Sequence, residues 1–126
     1  MRILLVSPDP KSREMMRLTV GSLKRQAHDD LEFVEVESGL DGIEAGRREH
    51  FDLVVADEIA SHAGAFALAR DLRNRENPFP GTIVILLDRP QDTWLAKWSG
   101  ADAWFVKPVD PFELADKVMD LVKEPV

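Results

Sequence analysis

The chain has 126 residues, of which 44% are hydrophobic, with a formal net charge of -7 and no cysteine. That length suits one compact domain, 1–126, whose core needs no covalent staple. The acidic balance argues against a nucleic-acid surface, which gathers Lys and Arg on one face. The missing thiols exclude disulfides, a cysteine nucleophile and a thiolate metal site, as suits a reducing cytoplasm.

Ile3-Leu4-Leu5-Val6 is too short for a signal-peptide core, and no stretch approaches the roughly 20 apolar residues of a membrane span. The expectation is a soluble, cytoplasmic protein. Residues 2–6 read as a buried strand. Asp9-Pro10 then marks a helix start, with Asp as the cap and proline at the first helical position. Met16, Val20 and Leu23 share one face of that helix, and Lys24-Arg25 sits where cations offset a helix dipole.

Leu31–Glu37 has the composition of a strand, and Ser38 or Asp41 begins a short helix carrying Leu40 and Ile43. Three glycines, Gly39, Gly42 and Gly46, weaken it, and Arg47-Arg48 closes it. Asp52–Asp57 is the next strand, and its Leu53-Val54-Val55-Ala56 run is apolar on both faces, as in the middle of a parallel sheet. Ala65, Leu68, Ala69 and Leu72 keep helical rhythm. Pro78, Pro80 and Gly81 break the chain before a fourth strand over Thr82–Leu87.

A helix around Gln91–Ser99 and a short strand over Ala103–Val106 follow. Asp110-Pro111-Phe112-Glu113 opens the last helix with a cap, a first-turn proline and a capping-box Glu, and Leu114, Val118 and Leu121 form its core stripe. Five strands alternating with five helices imply a flavodoxin-like, doubly wound parallel sheet of order 2-1-3-4-5. Its ligand crevice lies beyond the carboxyl ends of the strands. That places Ser7, Pro8 and Asp9, then Asp57 to Ser61, then Leu87 and Asp88, then Lys107 around one site.

Two stretches carry a resemblance: Asp52-Leu53-Val54-Val55-Ala56-Asp57, and Gly100-Ala101-Asp102-Ala103-Trp104-Phe105-Val106-Lys107-Pro108. Together they resemble the receiver domain of two-component response regulators, nearly from end to end. The resemblance implies that Asp57 is the phosphoacceptor, receiving a phosphoryl group from a histidine of a kinase or phosphotransfer protein. It makes Lys107 the phosphate contact and Trp104 the switch aromatic, and a cis Lys107–Pro108 bond is common in such domains. It also implies a magnesium ion held by two acidic residues after the first strand, and a Thr or Ser ending the fourth.

The sequence departs from that pattern at Ser7 and Pro8, which replace the acidic pair, and at Leu87, which replaces the hydroxyl residue. Ser61 stands in place of a proline, Gly64 or Ala65 in place of a glycine, and the Leu87–Gly100 segment is about two residues short. Magnesium favours carboxylates and water, so binding through Asp57 and Asp9 is expected to be weak, and Asp9 is the better helix cap. Asp88 is expected to repel a phosphoryl group. Asp57 and Lys107 serve equally well as a structural ion pair.

The expectation is therefore an atypical receiver, a signalling domain and not an enzyme, acting through protein contacts with or without phosphorelay. Its expected partners are a histidine kinase, a phosphotransfer protein or another signalling protein. Core packing is the ordinary role of tryptophan, but Trp98 falls on the fourth helix–fifth strand–fifth helix face, a docking surface or homodimer interface in such domains. Two alternatives stay open: a conventional Asp57 phosphoacceptor with weak magnesium, and a flavodoxin-like small-ligand binder. His28, His50 and His62 lack metal-ligand spacing, although His62 lies near enough to Asp57 to contact a phosphate. No Ser-His-Asp set or phosphate-binding glycine loop is present.

Overall fold

The computed structural model describes residues 1–21, 31–58 and 64–122. Leu23, Lys24, Arg25, His28, Ser61 and His62 lie outside the described residues. The elements run β1 (Arg2–Val6), α1 (Pro10–Gly21), β2 (Glu32–Val36), α2 (Gly39–Arg48), β3 (Leu53–Asp57) and α3 (Gly64–Asn74). They continue as β4 (Thr82–Leu87), a 3-10 turn (Pro90–Asp92), α4 (Thr93–Ser99), β5 (Ala103–Val106) and α5 (Pro111–Val122).

All strand pairings are parallel, and the sheet order is β2-β1-β3-β4-β5, the doubly wound arrangement expected from the alternating pattern. Period-two alternation sorts the strand side chains into two layers. Leu4, Val6, Val54, Ala56, Ile83, Ile85 and Leu87 pack with Leu68, Leu72 and Ala96 beneath α3 and α4. Ile3, Leu5, Leu53, Val55, Val84 and Leu86 pack with Met16, Val20, Leu114 and Val118 beneath α1 and α5. Complete burial of such aliphatic side chains stabilises by about 1.5–3 kcal/mol each. Register sets Val6 beside Ala56, Asp57 beside Leu86 and Leu87 beside Val106, so these strand ends are level.

The second helix differs from expectation in what it buries. Leu40 is 58% exposed, and it is Gly39 and Gly42 that face inward. A Cβ on Gly39 would stand 2.5 Å from the Gly64 carbonyl oxygen, and one on Gly42 would stand 3.1 Å from Leu68. The glycines that weaken α2 by propensity are thus the residues that let it lie against α3. Ser38 caps it by accepting the Asp41 amide at 3.1 Å.

The fourth helix begins with a 3-10 turn because Pro90 cannot donate a backbone hydrogen bond and Arg89 closes on Asp92. Its C-terminus ends at Gly100, whose φ of 93° is the left-handed conformation that glycine accepts without cost. Arg73 of α3 donates to the carbonyls of Phe79, Gly81 and Gly100 and to Asp102. That single guanidinium ties the loop before β4 to the turn before β5, fixing the end of the sheet opposite the site.

Candidate functional site

Ser7 leaves β1 with its amide donating to the Val36 carbonyl at 3.1 Å, which anchors it beside the strand ends. The residue is wholly buried. Its hydroxyl donates to Asp57 Oδ2 at 3.0 Å and accepts the Asp9 amide at 3.1 Å. A serine in this position therefore spends its one proton on Asp57.

Asp57 ends β3 and is also fully buried. Lys107, just past β5, donates its backbone amide to the Leu87 carbonyl at 2.9 Å, and the Lys107–Pro108 peptide is cis. Its ammonium hydrogen-bonds Asp57 Oδ1 and also reaches Asp88 Oδ1 at 2.9 Å. Burial opposes charge on Lys107, but the hydrogen bonds to Asp57 and Asp88 outweigh it and raise the ammonium pKa above its ordinary value. Both oxygens of Asp57 are engaged by this chain's own donors.

The other positions expected around the crevice divide clearly. Leu87 is wholly buried in the layer beneath α3 and α4, and its side chain offers no hydrogen bond to the crevice. Asp9 accepts the Lys11 amide at 3.0 Å and the Ser12 hydroxyl at 3.3 Å, which commits both its oxygens to the start of α1. As a magnesium ligand Asp9 is thus displaced by its role as a cap. Trp104 is half-buried against the same layer as Leu87. Trp98 is 52% exposed and lies under the Arg70 guanidinium at 4.3 Å from the ring centroid. Trp94 is 66% exposed, so the aromatic pair on α4 faces outward and core packing does not account for it.

A second carboxylate cluster, absent from the sequence reading, adjoins the first. Glu58 follows Asp57, with its amide on the Leu86 carbonyl at 2.8 Å and its carboxylate accepting the Asp88 amide. Burial, and then a hydrogen bond to Asp92, push the Glu58 carboxyl up to about 7. Asp92 moves the other way, because Arg89 grips it at 3.0 and 3.2 Å and Glu58 also donates to it. One proton is shared between Glu58 and Asp92 in a way that ties the end of β3 to the start of α4. The sequence signal was slight: an Asp57-Glu58 pair and, far along the chain, an Arg and an Asp three residues apart at Arg89 and Asp92.

The residues present do not fit a divalent cation. Magnesium takes near-octahedral oxygen ligands with at least one or two carboxylates. Among the described residues no three His, Cys, Asp or Glu side chains are grouped to hold a metal. Asp57 carries an ammonium and a hydroxyl where a cation would bind.

No family model matches the chain. It is 35% identical over 125 residues to an uncharacterized response regulatory protein of Mycobacterium tuberculosis, covering 99% of this chain and 93% of that protein. It is 32% identical over 111 residues to Protein PilH of Pseudomonas aeruginosa, covering 86% of this chain and 87% of PilH. The fold matches the receiver domain of a Pseudomonas aeruginosa sensor histidine kinase with a TM-score of 0.82 at 19% identity, over 98% of both chains. That receiver holds a magnesium ion coordinated in its active site cleft. A Vibrio cholerae chemotaxis protein matches with a TM-score of 0.78 at 20% identity, over 95% of this chain and 97% of its own.

Proposed function

The chain belongs to the response-regulator receiver family, and within it we propose a phosphorylation-silent member that signals through protein contacts. The observation that carries this reading is the bonding of both Asp57 oxygens: Ser7 donates to one, Lys107 to the other, and Asp88 takes a share of Lys107. A carboxylate attacks phosphorus through a free lone pair, with cations nearby to balance the incoming charge. Here the lysine on Asp57 is shared with a second carboxylate. A phosphoryl group adds about -1.5 to -2 charges at neutral pH, and Asp88 would stand beside it.

The site residues contribute position and order in this reading, not catalysis. Asp57 and Lys107 join β3 to β5, Asp88 holds the ammonium from the β4 side, and Ser7 closes the β1 side. Signalling then rests on which surface the fold presents. The exposed Trp94 and Trp98 of α4, with Val106 of β5 at 37% exposure, offer a contact face to a kinase, a phosphotransfer protein or another signalling protein. Among the described residues no helix is long and apolar enough to cross a membrane, and the cytoplasm is the compartment this reading assigns.

The experiment is incubation with a small phosphodonor and millimolar magnesium, followed by intact mass spectrometry. The expected result is an unmodified chain. A phosphoryl adduct that Asp57→Asn abolishes supports the conventional phosphoacceptor instead.

A further inference from the structure

We propose that the edge between α3 and α4 is a docking site for a short acidic segment of a partner protein, with Arg70 as the carboxylate anchor and Trp94 and Trp98 as an apolar floor. This role rests on the reading of the domain as one that signals through protein contacts, and it adds the chemistry of the partner. Arg70 is exposed on α3, and its guanidinium lies 4.3 Å from the centroid of the Trp98 ring. One of its N–H groups donates to the Trp98 carbonyl at 3.1 Å. Every other arginine among the described residues is ion-paired with a carboxylate, and Arg70 is not.

A guanidinium presents five N–H donors in a planar fork. Stacking on Trp98 and the bond to its carbonyl hold that fork in place and leave most of its donors unused. An arginine held in this way is prepared to grip a carboxylate through two parallel bonds, with less ordering left to lose on binding. Trp94 and Trp98 stand one turn apart on α4, about 6 Å along its axis, and are 66% and 52% exposed. The contact with Arg70 turns Trp98 towards α3, and Trp94, four residues earlier, shares its face. At about 100° per residue, Lys97 falls on the opposite side of Trp94 from Trp98. The two rings therefore lie between two cations, and β5 and α5 take no part in the strip.

The charges choose the occupant. Lys97 is exposed and, like Arg70, has no ion pair among the described residues. No acidic residue occurs in α4. Asp71, the one acid of α3, is held by Arg47 and Arg75, and Asp92 before α4 is held by Arg89. A chain of net charge -7 thus presents two uncommitted cations here with no uncommitted carboxylate beside them. A basic partner would meet no opposite charge. A membrane or a nucleic acid is an extended anion that meets the charge of the whole chain, and each basic residue near a membrane contributes only about 1 kcal/mol. A short acidic segment interacts within the screening length of roughly 8 Å, where the two cations dominate. Its carboxylate takes the Arg70 fork, and an apolar side chain next to it lies on the rings.

The test is calorimetric and fluorescence titration of the whole chain with a synthetic peptide of about 12 residues, glutamates flanking a central pair of leucines, and with its glutamine counterpart. The acidic peptide should bind with a Kd between about 10 µM and 0.3 mM at low salt, and about fivefold more weakly at about 0.5 M salt. The glutamine peptide should bind at least about tenfold more weakly. Arg70→Gln and Trp98→Ala should each cost about fivefold or more, and Arg70→Lys should recover only part, because an ammonium lacks the fork. Phe112→Asp, on α5, should change nothing. Arg70 is exposed, and a thermal midpoint within about 2 °C of wild type confirms that Arg70→Gln folds. No binding up to about 1 mM overturns the proposal, as does equal affinity for the glutamine peptide, indifference to Arg70→Gln or loss with Phe112→Asp. Binding to vesicles of about 30% phosphatidylserine in phosphatidylcholine without binding to the peptide overturns it in favour of a membrane. The outcome is separate from the state of Asp57. A chain that takes up a phosphoryl group yet binds the peptide through Arg70 keeps this site and loses the silent one, and a silent chain that ignores the peptide does the reverse.

Discussion

The Lys107 ammonium lies 2.9 Å from Asp88 Oδ1 while it also holds Asp57. Asp88 immediately follows β4 and Leu87, so the residue beside the missing hydroxyl position supplies a negative charge in place of a neutral donor. The lysine is shared between two carboxylates before any ligand arrives. This arrangement links Ser7 and Asp88, since Ser7 occupies an oxygen of Asp57 and Asp88 competes for its cation.

Removing that cation should be expensive. Asp57 is fully buried, and an uncompensated buried charge costs about 3–5 kcal/mol. Lys107→Met should lower the urea midpoint by an amount in the lower part of that range, since the lysine side chain is 25% exposed. Adding Asp57→Asn to Lys107→Met should recover most of the loss, because the two effects share one interaction. Additive losses would show that the pair is not the structural bond described.

The Glu58–Asp92 tie should make stability depend on pH. Glu58 titrates at about 7 in the fold against an ordinary 4.5, so the folded state binds the extra proton between those values. Its contribution is complete below pH 4.5 and is lost as pH rises through about 7. Asp92, with its pKa lowered chiefly by Arg89, contributes above its ordinary 3.8 and loses that contribution as pH falls through its depressed value. Between pH 5 and 8 the wild-type melting temperature should therefore fall relative to Glu58→Gln. Parallel curves for the two proteins would remove the shared proton from the account.

Trp94 and Trp98 should matter for contacts and little for folding. Exposed substitutions usually fall within about 0.5 kcal/mol, and the Arg70–Trp98 stacking adds about 0.5–1 kcal/mol. Trp94→Ala should be near neutral in denaturant titration, and Trp98→Ala should cost about 1 kcal/mol. Losses above about 3 kcal/mol would place these rings in the core.

Much of this was legible in the chain. Leu53-Val54-Val55-Ala56 announced a central parallel strand because both its faces are covered, and Ala65, Leu68, Ala69 and Leu72 are all buried as their spacing implied. Leu40 misled because in α2 the contact with α3 is made by backbone at Gly39 and Gly42, which hydrophobic periodicity does not see. Asp88 was read only as a charge unfavourable to phosphate, and its bond to Lys107 depends on the turns after β4 and β5. Glu58 and Asp92 lie far apart in sequence, and their neighbours Asp57 and Arg89 do not by themselves show that the two carboxylates meet.

Restoring the expected residues should open the site. Ser7→Asp, Pro8→Asp and Leu87→Thr together supply the acidic pair and the hydroxyl, and should produce magnesium-dependent changes in tryptophan fluorescence that the wild type lacks. The triple variant should be less stable, by about 2 kcal/mol or more, since Leu87 is wholly buried and new carboxylates crowd Asp57. A variant that folds yet ignores magnesium would mean that other features close the crevice.

The most direct measurement is the amide spectrum of the isotopically labelled wild type, recorded with and without magnesium and beryllofluoride, an analogue of the phosphoryl group. With Asp57 held by Ser7 and Lys107, the amides of Asp57, Glu58, Asp88 and Lys107 should keep their positions. A second set of resonances for these residues, saturating with the analogue and absent in Asp57→Asn, would contradict a silent site.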